Sequence, residues 1–169
     1  MSSYALETRI YNGTDSQSRQ LEIPFIFVNE VKLNYERQLL TSEMFQVCSS
    51  AELFEYISNI SDVKAPVESM GVVFLNRANK VMGHAILSLG GITGTVCDTR
   101  VLFSLALNCL ACSIALWHNH PSGNLRASEA DKKLTAKVKE GGTFLDIKLL
   151  DHLIVTDIGY YSFADEGEL

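Results

Sequence analysis

The chain has 169 residues, 47% of them hydrophobic, and carries 20 acidic against 14 basic residues for a formal net charge of −6. Length and composition suit one domain with a sizeable core and a short extension. The charge argues against general nucleic-acid binding, which draws on a basic footprint, and no apolar run approaches the ~18 residues of a membrane helix. The opening Met1-Ser2-Ser3-Tyr4-Ala5-Leu6-Glu7 has neither the basic start nor the apolar stretch of a secretory signal. The expectation is a cytoplasmic protein with no membrane partner.

Residues 11–20 are polar, with Asn12, Gly13 and several serines, and read as a loop. Two β-rich stretches follow, Ile23 to Val28 and Val31 to Tyr35. The second alternates Val31, Leu33 and Tyr35 against Lys32 and Asn34, as a half-exposed strand does. Asn29-Glu30 suits a tight connection, so the pair reads as a hairpin. Ser49-Ser50-Ala51-Glu52 resembles a capping box opening a helix to about Asn59. A connector with Pro66 covers 61–67. The expected boundary therefore divides an N-terminal extension, 1–60, from a main domain, 61–169.

Met70 to Asn76 is apolar and strand-like, Arg77 to Lys80 turns the chain, and Val81 to Leu89 returns it. Gly90-Gly91 and Gly94 break regular structure. Asp98 caps an expected helix from about Thr99 to Ala111, apolar on most faces and so expected inside the fold. Its Cys109-x-x-Cys112 string reads as two small core residues, and the four cysteines suggest no disulfide framework. Ser113 to Trp117 is a short strand that delivers His118 at its end. Ser128 opens a helix to about Glu140, which Gly141-Gly142 is expected to stop. Phe144 to Val155 holds one or two strands, and Tyr160 to Phe163 a last one. The sum is an α/β fold, a mixed sheet with a central buried helix and flanking helices.

The chemistry concentrates at His118-Asn119-His120, Ser128 and Asp131. Residues two apart on an extended segment face the same side, so the two imidazoles can converge on one ion. Asp131, in the first turn of the next helix, can fold back as a third ligand. Three nitrogen and oxygen ligands suit Zn²⁺ and leave a position for water, whose pKa zinc lowers from ~15.7 to ~7. A carboxylate must then manage protons. Glu68, just ahead of a strand, is the candidate, although spacing alone does not separate it from Glu129 or Glu140. Ser128 can donate a hydrogen bond to an oxyanion. Ser128-x-x-Asp131 also reads as a plain helix cap.

The spacing His118-x-His120, seven residues, Ser128, two residues, Asp131 resembles the JAMM motif of the JAB/MPN metalloprotease superfamily. His118-Asn119-His120-Pro121-Ser122-Gly123 is similar to the RadC family in particular, as are Leu75 to Lys80, Asp98-Thr99-Arg100 and Asp151 to Val155. The likeness covers about residues 60–169. It implies a cytidine-deaminase-like JAB/MPN fold and one zinc ion on His118, His120 and Asp131. It also implies Glu68 acting on the water, Ser128 assisting the tetrahedral intermediate, and hydrolysis of a peptide or isopeptide amide. Two departures stand out. Residues 1–60 lack the helix-hairpin-helix region usual in RadC proteins, and Ala127 replaces a common proline. His152, after Asp151, reads as structural, and His84 as incidental.

Four functions compete. The first is a zinc metalloprotease or isopeptidase acting on a small peptide or a flexible protein tail. The second is a DNA-repair-associated RadC-like accessory protein without catalysis, with Lys132, Lys133, Lys137 and Lys139 as its footprint; a solvated helix face with a Glu129–Lys133 pair is the favoured reading of those lysines. The third, an HNH nuclease, needs separated residues in a ββα arrangement that the sequence lacks. The fourth is a non-catalytic interaction module. The strand from Val31 to Tyr35 is available to line a groove or to pair with a second subunit in a homo-oligomer.

Overall fold

The computed structural model describes residues 40–90 and 97–169. The loop at 11–20, the strands at 23–28 and 31–35 with their hairpin, and Gly91 and Gly94 lie outside the described residues. The elements in chain order are α1 (Ser50–Ile60), β1 (Ser69–Leu75), β2 (Val81–Leu89), α2 (Thr99–Asn108), β3 (Ser113–Asn119), α3 (Glu129–Phe144), β4 (Lys148–Thr156) and β5 (Gly159–Ser162). The five strands form one sheet in the order β2-β1-β3-β4-β5. It is a mixed sheet, because β3 and β4 run parallel while the other neighbours are antiparallel.

Every residue of β1 and β3 is buried, as befits central strands covered on both faces. On one face Val72, Phe74, Ile114 and Leu116 pack against Leu102, Phe103 and Ala106 of α2 and Val138 of α3. On the other, Val73, Leu75, Ala115, Trp117, Leu153 and Val155 pack against Leu53 and Ile57 of α1. The described residues form a three-layer α/β fold with α2 and α3 on one side of the sheet and α1 on the other. Helix α1 starts as its sequence predicts, with the Ser49 hydroxyl accepting from Glu52 N at 3.2 Å. It falls on the extension's side of the expected boundary, yet its apolar stripe closes the same core.

Helix α2 differs from expectation. Asp98 caps it, accepting from Arg100 N at 2.9 Å. However, the helix is buried on one face only, not central: Val101 is 48% and Leu107 49% exposed. It also ends at Asn108. Leu110 turns left-handed at φ 57, Ala111 N bonds back to Ala106 O at 2.9 Å and Leu110 N to Leu107 O at 3.1 Å. This is a Schellman ending with leucine where glycine is usual. The Cys109-x-x-Cys112 string therefore straddles the helix end: Cys109 is half-buried and packs against the core, while Cys112 is exposed and its reading as a core residue is corrected.

Helix α3 runs through Gly141-Gly142 to Phe144 instead of stopping there. The glycines serve close packing. A Cβ on Gly141 would lie 2.8 Å from the Phe103 ring, and one on Gly142 would lie 2.3 Å from the Ile147 carbonyl oxygen. Backbone cannot yield as a flexible side chain can. Alanine is the better helix former by about 1 kcal/mol, but the clash should win. Gly142→Ala is expected to lower stability by about 1–3 kcal/mol in urea denaturation; a gain would show that the turn after α3 moves aside at no cost.

Candidate metal centre

Strand parity aims the first histidine. Ile114 and Leu116 point toward α2 and α3, so His118, two residues on, points the same way. It is 3% exposed. His120 N donates to Val155 O at 3.0 Å, which carries the ladder past the strand end and keeps His120 on the same side. The two Nε2 atoms lie 3.0 Å apart. His120 Nδ1 lies 2.6 Å from Asn124 O, and a carbonyl can only accept, so that nitrogen holds a proton. Between the histidines, Asn119 faces the other layer. Its Oδ1 accepts from Ser69 N at 2.6 Å and Ser69 Oγ at 2.8 Å, and its Nδ2 donates to Ala65 O and Val67 O. These bonds pin the connector that leads to Glu68.

Asp131 comes from the first turn of α3. Ser128 N and Ser128 Oγ donate to its Oδ2 at 2.8 and 2.6 Å, while Asp131 N donates to Ser128 Oγ at 3.2 Å. This is a complete capping box. The other carboxylate oxygen, Oδ1, lies 3.3 Å from His118 Nε2, and Oδ2 lies 4.0 Å from His120 Nε2. One ligand atom each from His118, His120 and Asp131 falls within 4.8 Å of the others. The cap formed by Ser128-x-x-Asp131 leaves the Asp131 carboxylate within a group that could hold a metal ion. The Ser128 proton is engaged with Asp131.

Two neighbours complete the group. His152 Nε2 lies 2.9 Å from His118 Nδ1, and His152 Nδ1 lies 2.7 Å from Thr135 Oγ1. Thr135 Oγ1 donates to Asp131 O at 2.7 Å. His152 therefore touches the site, where the sequence showed it no partner. Thr135 went unnoticed, although it sits at i+4 from Asp131, on the same helical face.

The strand alone would aim His152 the wrong way. Ile114 pairs with Leu149 but Ala115 pairs with Asp151, so Leu150 is an extra residue. Leu149 faces α3 while Leu153 and Val155 face α1, a change of parity that only the bulge produces. Glu68 is half-buried just before β1. Met70 pairs with His118 and packs in the α2–α3 layer; Glu68 lies two residues before it, so strand parity aims it toward the histidines' layer. His84 bonds Tyr56 OH at 3.0 Å through Nδ1, linking β2 to α1 on the other layer.

Burial keeps the inner histidines neutral. It lowers the pKa of His118 to about 4, outweighing Asp131, which pulls upward; His120 adds to the lowering. The His118–Asp131 pair has the spacing of a salt bridge but joins a neutral ring to a carboxylate. His152 is held well below its usual value by burial, then by His118 and His120. A depressed folded pKa means that the unfolded chain binds protons first as pH falls. This contribution to stability is full above about pH 6.5 and is lost below it. Metal-free protein is expected to lose on the order of 2 kcal/mol in urea denaturation between about pH 7.5 and 5.5. A flat profile would mean that both rings protonate as easily folded as unfolded.

The family model described as RadC-like JAB domain matches residues 47–168. A UPF0758 protein of Flavobacterium johnsoniae is 48% identical over 122 residues, 72% of this chain and 53% of that protein. One from Chlorobium chlorochromatii is 34% identical over 156 residues, 90% of this chain and 67% of that protein. One from Porphyromonas gingivalis is 47% identical over 105 residues, 62% of this chain and 46% of that protein. The chain spans about half the length of the Flavobacterium and Porphyromonas proteins. Every element from α1 to β5, and every group of the site, falls within the matched residues, and the chain belongs to the RadC-like JAB domain family.

Proposed function

We propose that the chain is a metallohydrolase of the JAMM type, in which His118, His120 and Asp131 hold one Zn²⁺ and a peptide or isopeptide amide bond is hydrolysed. The observation that carries this reading is the convergence of two imidazole Nε2 atoms, 3.0 Å apart, with the Asp131 carboxylate. At that distance the two nitrogens can share one proton or one metal ion. Two Zn–N bonds of ~2.0–2.1 Å at a tetrahedral angle set nitrogens ~3.3 Å apart, so the donor set fits zinc in type and spacing. Three protein ligands leave one position open, as in catalytic sites.

Bound there, zinc supplies a Lewis acid that polarises a carbonyl and acidifies water to a pKa of ~7. The chain's own groups do the rest. Glu68 takes the proton of the attacking water and returns it to the departing amine nitrogen as the C–N bond breaks. Its place two residues before Met70, on the histidines' side by strand parity, supports that role. Ser128 stands at the rim and supplies a hydroxyl to the developing oxyanion when it turns from Asp131. His120 and Asp131 are the more accessible ligands, with side chains 14% and 16% exposed against 4% for His118, which gives substrate its approach from their side. The connection from Pro121 to Ala127 is short, which supports a small peptide or a flexible tail as substrate rather than a gripped globular domain. Among the described residues no helix is long and apolar enough to cross a membrane, and cytoplasmic residence is part of the proposal. The DNA-associated reading draws less support, because Lys132 of its lysine face is paired with Glu168 at 3.0 Å.

Metal analysis of the full chain equilibrated with Zn²⁺ should find about one ion per chain, and none in the double variant His118→Ala/His120→Ala. Wild-type protein that takes up no zinc would end the proposal. Glu68→Gln should keep the metal and lose at least about 10²-fold in hydrolysis of a peptide library. Undiminished turnover in that variant would remove Glu68 from the mechanism.

A further inference from the structure

We propose that His152 and Thr135 are positioning residues that hold His118 in the one tautomer able to bind a divalent cation, with Nδ1 protonated and Nε2 bare. The inference rests on the metal reading above for its purpose, and on hydrogen-bond geometry alone for its substance. The chain of hydrogen bonds starts in helix α3. Thr135 Oγ1 lies 2.7 Å from the Asp131 carbonyl oxygen, an acceptor that has no proton to give. The threonine's single proton must lie in that contact. Towards His152 Nδ1, 2.7 Å away, Oγ1 can then only accept, so that nitrogen is protonated. His152 is fully buried, and a neutral ring carries one proton, so its Nε2 is bare. His118 Nδ1, 2.9 Å from it, must donate. One proton on Nδ1 leaves His118 Nε2 bare and pointing at His120 and Asp131.

The opposite set of tautomers would put a proton on His118 Nε2, where it blocks coordination. It would also leave the Thr135 and Asp131 oxygens face to face at 2.7 Å with no proton between them. The helix therefore selects the direction of the chain of bonds. Its two ends are two candidate ligands: it begins at the main-chain carbonyl of Asp131 and ends on the ring of His118. A ligating histidine usually gives its second N–H to a carboxylate, a carbonyl or water. Here the acceptor is another imidazole, whose own tautomer must be fixed in turn. Thr135, whose hydroxyl contacts the Asp131 main-chain carbonyl and the His152 ring, fixes it.

The test uses the full chain labelled with ¹⁵N-histidine. In metal-free wild-type protein, nitrogen NMR should show His118 and His152 each with Nδ1 protonated and Nε2 bare. In Thr135→Val the His152 Nδ1 proton loses its acceptor at nearly constant volume. His118 should then become a mixture of tautomers, and Zn²⁺ affinity per folded molecule should fall by about 10- to 100-fold. Thr135→Ser, which restores the hydroxyl, should bind Zn²⁺ within roughly a factor of three of wild type. A merely structural role would lower stability without moving the tautomer or the affinity, and that result would overturn the proposal. So would His118 protonated on Nε2 in wild type, a readout that needs no variant to fold. Wild-type protein that binds no Zn²⁺ yet shows the stated tautomers would remove the metal reading and leave the positioning chain intact.

Discussion

A buried imidazole has two nitrogens to satisfy and no water to satisfy them with. His118, 3% exposed, meets this constraint at the end of the central strand, and the neighbouring elements are arranged around it. Strand β4 brings His152 to Nδ1. On the Nε2 side stand a second imidazole from the following loop and a carboxylate from the first turn of α3. Among the described residues, His120 Nδ1 gives its proton to Asn124 O, and His120 Nε2 and the Asp131 carboxylate face His118 Nε2. A group of two imidazoles and a carboxylate, buried on one flank and more accessible on the other, could hold a cation.

The first turn of α3 answers to two demands at once. As a capping box, Ser128 and Asp131 satisfy backbone N–H groups that the helix cannot satisfy itself, an effect of about 1 kcal/mol. The same bonds immobilise the carboxylate. Both Ser128 donors bind Oδ2, so Oδ1 is the oxygen left to face His118. A capping aspartate in a solvated helix would be free to swing; this one is held from behind. Asp131→Ala would therefore lose a helix start together with a site group, and stability and binding would fall in one variant for separate reasons.

The legible part of the site was the part encoded locally. His118, His120, Ser128 and Asp131 lie within one loop and one helical turn, where a two-residue strand repeat and a cap pattern suffice to aim side chains. The sheet was legible for the same reason, from apolar runs bounded by turns. Three features were not. The parity of β4 changes at Leu150, and no composition signal marks a bulge, so His152 could not be assigned a face. Gly141-Gly142 looks like a helix stop, yet the close approach of Phe103 and the Ile147 carbonyl is a tertiary fact. Helix α2 reads as buried all round because its outer Val101, Leu107 and Leu110 are apolar, while its burial is decided by the single face that meets the sheet.

The bulge also explains why an aspartate and a histidine can stand side by side in one strand and serve opposite layers. Asp151 pairs with Ala115, whose side chain faces α1. Its carboxylate accepts from Ser162 Oγ at 2.6 Å and Ala164 N at 3.0 Å, which ties the segment after β5 to the sheet. Burial raises the Asp151 carboxyl's pKa, and the Ser162 bond leads the effects that oppose it. The tied segment contains Phe163, whose ring stacks on His152 with centroids 5.0 Å apart and planes 9° apart. His152 is thus covered by a residue that Asp151 helps to hold in place. Dryness around His152 is what lets a single hydroxyl decide its tautomer, since water on that ring would offer donors and acceptors to either form. The aspartate on the far face and the histidine on the near one act on the same end: one anchors the lid, the other works beneath it.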